Sequence, residues 1–122
     1  MSSTAIEIEH DDGRVVRYRR HQNGKGYVAV GAVVDPTAVI LPRAYVEPGA
    51  TVGRGVQIAP DAWVREDAVV EPLAVVGTGA LVGRGAHIGA GATLGSRATV
   101  PDGAVVPSGE RIAADTTHGL AA

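Results

Sequence analysis

The stretch GRGAHIGAGATLGSRATVPDGAVV, residues 83–106, places an aliphatic side chain at every sixth position: Ile88, Leu94, Val100 and Val106. Followed outward, the series becomes Val28, Val34, Ile40, Val46, Val52, Ile58, Val64, Val70, Val76, Val82, Ile88, Leu94, Val100, Val106 and Ile112, fifteen positions without a gap. Two residues before each member from Val34 to Val106 stands alanine, with Val56 as the single exception. An aliphatic column and a column of small side chains therefore point the same way, as residues two apart on a strand do.

The other positions keep the same frame. Gly31, Gly49, Gly55, Gly79, Gly85, Gly91, Gly103 and Gly109 each follow an aliphatic member by three residues, and Pro36, Pro42, Pro48, Pro60 and Pro72 fall one residue earlier in their hexads. Glycine accepts the positive φ of a tight corner, and proline starts a turn where no ladder donor is needed. Each hexad reads as a short strand and a corner. Glycine and proline at this density exclude a helix. Collagen is excluded because the glycine series is broken at Thr37, Arg43, Asp61, Asp67, Leu73 and Arg97. A six-residue internal repeat is the mark of a solenoid whose coils stack strand on strand.

The segment VVGTGALVGRGAHIGAGATLG, residues 75–95, resembles the consensus of the hexapeptide-repeat superfamily of bacterial transferases, and the resemblance extends over residues 27–113. It implies a left-handed parallel β-helix of triangular section with three hexads per coil, a hand opposite to the usual crossover. The expected fold class is all-β: about five coils of 18 residues preceded by an N-terminal β-hairpin. The expected division is a hairpin and linker at 1–26, the β-helix at 27–113 and a tail at 114–122, without frame and partly disordered.

Composition agrees with a thin column. The chain has 122 residues, of which 45% are hydrophobic but only 3% aromatic, with no Cys and no Phe. Its formal net charge of −2 argues against an obligate nucleic-acid partner, and no apolar run of membrane-spanning length or signal segment is readable. A cytoplasmic protein is expected. In residues 1–26, IEIEH, DDG and RVVRY form a hairpin signal, with Asp11, Asp12 and Gly13 as a three-residue loop that pairs Ile8 with Val16, Ile6 with Tyr18 and Glu7 with Arg17. An isolated hairpin is marginal in water, so it should dock on the open end of the β-helix or on a neighbouring subunit through the polar, flexible linker HQNGKG.

The residues with chemical potential are few. His87 precedes the inward Ile88 and so points outward, in a column with Val33, Thr51, Val69 and Val105. WVRED, residues 63–67, is similar to a segment of the γ-class carbonic anhydrase-like branch, with Arg65 and Asp67 where that family's trimer-holding Arg and Asp stand. The branch's zinc histidines have no counterpart, because His10, His21 and His118 lie outside the repeat. No metal and no cofactor is therefore expected. In the acyltransferases of the superfamily a histidine acts as base between two subunits. In this chain no extruded loop, no basic groove for coenzyme A and no carboxylate beside His87 is readable. A flat ice-binding face would need ranked Thr-x-Thr, which does not occur. The sequence thus predicts a rigid, non-catalytic assembly unit, a homotrimer that partners itself or a larger protein assembly; the alternative is a minimal CoA-dependent acyltransferase with an inter-subunit site near His87. Tyr27, Tyr45, Trp63 and Leu81 stand eighteen residues apart in one outward column and, with Arg65 and Asp67, form the expected interface. The chain's own hairpin is the other cover open to that stripe.

Overall fold

The computed structural model describes residues 6–9 and 12–119; His10 and Asp11 of the expected turn lie outside the described residues. Fifteen short strands, from Tyr27–Ala29 to Arg111–Ile112, stack into three parallel sheets, one for each side of a parallel β-helix of five coils. The first face holds Tyr27–Ala29, Tyr45–Val46, Trp63–Val64, Leu81–Val82 and Thr99–Val100. The second holds Val33–Val34, Thr51–Val52, Val69–Val70, His87–Ile88 and Val105–Val106, and the third runs from Val39–Ile40 to Arg111–Ile112. Every register is offset by eighteen residues, as in Val69↔His87 and Tyr45↔Trp63.

The aliphatic and alanine columns form one continuous core, nearly inaccessible from Ala38 to Val100 and opening only at its ends, where Ala32, Val34 and Ala104 are partly exposed. Three strands converge on this narrow interior, so alanine fills the sites for which a larger side chain has no room. Every corner but that of Thr37 uses a left-handed residue, whatever its type. Glycine takes that conformation at Gly49 (φ 80°), but so do Arg43, Asp61, Asp67, Leu73 and Arg97. Thr37, being β-branched, does not adopt it; its amide and hydroxyl bond to Asp35 Oδ1 at 2.9 and 2.7 Å and close the corner that way.

The hairpin has the expected register: β1 (Ile6–Glu9) pairs with β2 (Val15–Arg20), Ile6 opposite Tyr18, Glu7 opposite Arg17 and Ile8 opposite Val16. It docks on its own chain. β2 runs antiparallel to β3 (Tyr27–Ala29) and covers the edge of the first coil, with Tyr18 opposite Ala29. The linker is tied down. Gly26 N donates to Ile40 O at 2.6 Å, and a Cβ on Gly26 would lie 2.4 Å from Ile40 Cγ2, an approach that only glycine allows.

Residues 114–119 of the tail correct the expectation of a frameless segment, and 120–122 lie outside the described residues. Asp115 takes the left-handed corner (φ 62°), Thr117 bridges to Thr99, and His118 occupies the inward place eighteen residues after Val100. The frame was hidden because polar residues fill it where the column meets solvent. His118 Nε2 donates to Val105 O at 2.9 Å at this end, and His21 Nε2 donates to Ala38 O at 2.8 Å at the other. A carbonyl only accepts, so both rings carry their proton on Nε2.

Candidate active site

Two outward-facing clusters stand on this frame. On the second face, the strand His87–Ile88 turns Ile88 into the core and His87 out, between Val69 on one side and Val105 on the other. Glu71 follows the inward Val70, so it also points outward, and its amide donates to Ile88 O at 2.9 Å. That ladder bond sets the carboxylate beside the ring, with His87 Nε2 and Glu71 Oε2 2.7 Å apart. Both side chains are about half-exposed, 45% and 38%. A carboxylate accepts, so Nε2 carries the hydrogen, and in its neutral form the ring presents Nδ1 as an acceptor. The pair has the parts of a general base and the group that orients it and stabilises its protonated form.

Sequence reasoning missed Glu71, because a spacing of eighteen sets only Val33, Thr51, Val69 and Val105 in the His87 column. The carboxylate lies two residues beyond the residue stacked under the ring, an offset of sixteen rather than eighteen. That offset was the available signal.

On the first face, Tyr27, Tyr45, Trp63 and Leu81 do stack in register. Tyr27 and Tyr45 are stacked at 5.1 Å, and the buried Tyr18 of the hairpin meets Tyr45 edge-on at 5.4 Å. Tyr18 lies across the small Ala29 and donates its hydroxyl to Glu47 Oε1 at 2.5 Å, while Trp63 Nε1 donates to Glu47 Oε2 at 2.6 Å. Glu47 is only 2% exposed. Burial first, then the hydrogen bond to Glu47, pushes the Tyr18 phenol far above its ordinary value. The Arg65 guanidinium lies 4.3 Å over the Trp63 ring, and Arg65 Nε is 3.6 Å from Glu66 Oε1. Glu66 also receives Arg14 from the hairpin and Arg84 from the next coil, each at 3.2 Å. Burial alone would raise the Glu66 carboxyl; its own amide, Arg14 and Arg84 overcome that and hold it below the ordinary range. Asp67 takes the corner (φ 61°) with its carboxylate over Gly49, apart from the Arg65 contact. The hairpin thus covers much of the stripe, and Trp63 remains 38% exposed. Among the described residues, no three His, Cys, Asp or Glu side chains converge as metal ligands.

Residues 61–96 match the family model of the bacterial transferase hexapeptide (six repeats). A search of curated proteins finds no match. Among solved structures, the chain is similar to a histidine-to-asparagine variant of perosamine N-acetyltransferase from Caulobacter crescentus in complex with CoA and GDP-perosamine. The identity is 23% over 70% of this chain and 50% of that one, with a TM-score of 0.50. The acetyltransferase domain of PglB from Neisseria gonorrhoeae, in complex with acetyl coenzyme A, is 22% identical over 73% of this chain and 54% of its own, with a TM-score of 0.33. This chain spans about half the length of these solved proteins.

The expectation of a non-catalytic scaffold is corrected by these findings. The Caulobacter protein to which the chain is similar is an acetyltransferase that holds CoA, and a carboxylate not readable in the sequence stands beside His87.

Proposed function

Taking the chain as the hexapeptide-repeat β-helix protein that its fold and repeat make it, we propose that it is an acyltransferase that uses a coenzyme A thioester as acyl donor. The observation that carries this reading is the 2.7 Å contact between His87 Nε2 and Glu71. His87 Nδ1 takes the proton of an acceptor amine or hydroxyl as its nitrogen or oxygen attacks the thioester carbonyl. The C–S bond then breaks, and the imidazolium returns the proton to the departing thiolate. Glu71 holds the ring in the required tautomer and stabilises its charged form between the two steps.

The site is open on one side, and a second copy of the chain closes it. Val33 and Val105 in the His87 column are 67% and 61% exposed, whereas the aromatic column is already partly under the hairpin. We therefore place the contact between copies, in a homotrimer, on the second face, with Trp63, Arg65 and Asp67 at its margin. A carboxylate on the second face then has to be desolvated for assembly.

The test is transfer from acetyl coenzyme A to a panel of amino sugars and simple amines, followed by thiol release. His87→Asn should lose about 10²- to 10⁴-fold in rate with an unchanged circular dichroism spectrum. Val105→Glu should give a folded monomer by light scattering, without activity. Turnover unaffected by His87→Asn would refute the assignment of the base.

A further inference from the structure

Among the described residues, Leu73 is the one apolar side chain in the left-handed region, at φ 68°. The others at the coil corners have local reasons to be there. Aspartate tolerates the conformation, and Arg43 with Asp61 and Arg97 with Asp115 pair one coil apart along a shared corner. Leu73 has neither reason, and at 57% exposed it gains little from burial. A bulky residue kept in such a conformation points to a use for its side chain.

Its place supplies the use. Leu73 ends the corner Glu71–Pro72–Leu73, two residues beyond the carboxylate that meets His87. The corner is fixed: Leu73 N donates to Arg54 O at 2.9 Å, and the side chain leans over Gly55, where a Cβ would stand 2.7 Å from Leu73 Cδ2. On the coil above, Gly89, Ala90 and Gly91 offer nothing larger than a methyl, and the space where a Gly91 Cβ would stand is open. Glu71 and Leu73 therefore stand on the coil beneath a bare ledge, with the Leu73 side chain turned toward the Gly55 coil.

We infer that Leu73 is a specificity-determining contact of the proposed acyltransferase site, packing against an alkyl segment of a substrate whose reacting end lies at His87. This rests on the acyltransferase reading. The alkyl segment belongs either to the thioester donor's arm or to the apolar side of the acceptor.

Leu73→Gly and Leu73→Asn, both at ease at positive φ, separate the possibilities. Both should melt at or above the wild-type temperature, because the strained leucine is gone. The KM for one substrate should rise roughly tenfold or more with kcat little changed, the loss expected when an apolar contact shared by ground and transition states is removed. A rise confined to acetyl coenzyme A, matched by weaker calorimetric binding, assigns the contact to the donor; a rise confined to the amine assigns it to the acceptor. KM values within twofold of wild type for both substrates, or a melting temperature several degrees lower, would overturn the inference. A wild-type protein that neither binds acetyl coenzyme A nor acetylates any amine removes the acyltransferase reading itself, and the role of Leu73 with it.

Discussion

Glu47 and Glu71 are the same residue in the same place of the repeat on two different faces. Each follows an inward valine, Val46 or Val70, and each reaches the ring sixteen residues further on, Trp63 or His87. Above Glu47 lies the hairpin, whose Tyr18 supplies a second donor and seals the carboxylate from water. Among the described residues nothing covers Glu71 in this way, and both it and its partner ring stay about half-exposed. The coil geometry offers the carboxylate-to-ring contact; what covers it decides whether the contact is sealed into the fold or left exposed.

The comparison is broken most easily by exchanging each carboxylate for its amide. Glu71→Gln should lower transfer by about a hundredfold or more and leave the melting temperature unchanged, since an exposed pair adds little stability. Glu47→Gln should do the reverse. An amide cannot accept from both Tyr18 and Trp63 as the carboxylate does, so about 1.5–3 kcal/mol of stability is lost while turnover persists. Paired thermal melts and initial rates check both; equal effects on stability at the two sites would remove the distinction.

A smaller effect sharpens it by pH. Glu66, tied to Arg14 of the hairpin and to Arg84, titrates below its ordinary value of 4.5 in the fold. A depressed carboxyl contributes stability that is present above the unfolded value and is lost as pH falls through the folded one. Below 4.5 the hairpin tip should therefore loosen while the coils persist. The single tryptophan, Trp63, lies in that cluster and reports the change by its emission, against a constant β signal in circular dichroism. Emission that stays flat until the coils themselves unfold would count against the hairpin being held by this charge.

The smallest effect lies on a corner outside both contacts. Arg43 and Asp61 pair at 2.9 Å but stand in water, as do Arg97 and Asp115. Arg43→Ala should shift neither the melting midpoint nor the rate measurably. A clear destabilisation would show that the corner ladder holds the fold as Glu47 does.

How much could be read beforehand follows the range of the forces involved. The inward column, the corners, the hairpin register and the stacking of Tyr27, Tyr45 and Trp63 were legible, because each depends on a fixed spacing along the chain. The pairing of His87 with Glu71 was not, since a glutamate side chain reaches diagonally between columns, and counting by eighteen passes over it. The continued frame in residues 113–119 was missed for a related reason. Thr117 and His118 keep the frame, but as polar residues at an open end they carry no hydrophobic signal.

The sequence by itself determined a solenoid with a six-residue period, since a narrow column accepts only small and aliphatic side chains and all its corners but that of Thr37 take a left-handed backbone. Tertiary structure alone decided which outward side chains lie covered. The hairpin's apolar side could have met a neighbouring subunit or the chain's own first face, and both satisfy the same pattern of residues. It folds onto its own chain because β2 completes the open edge of β3, and Ala29 leaves room for Tyr18 to reach Glu47. That single docking closes one glutamate and leaves the other, with His87, open to solvent.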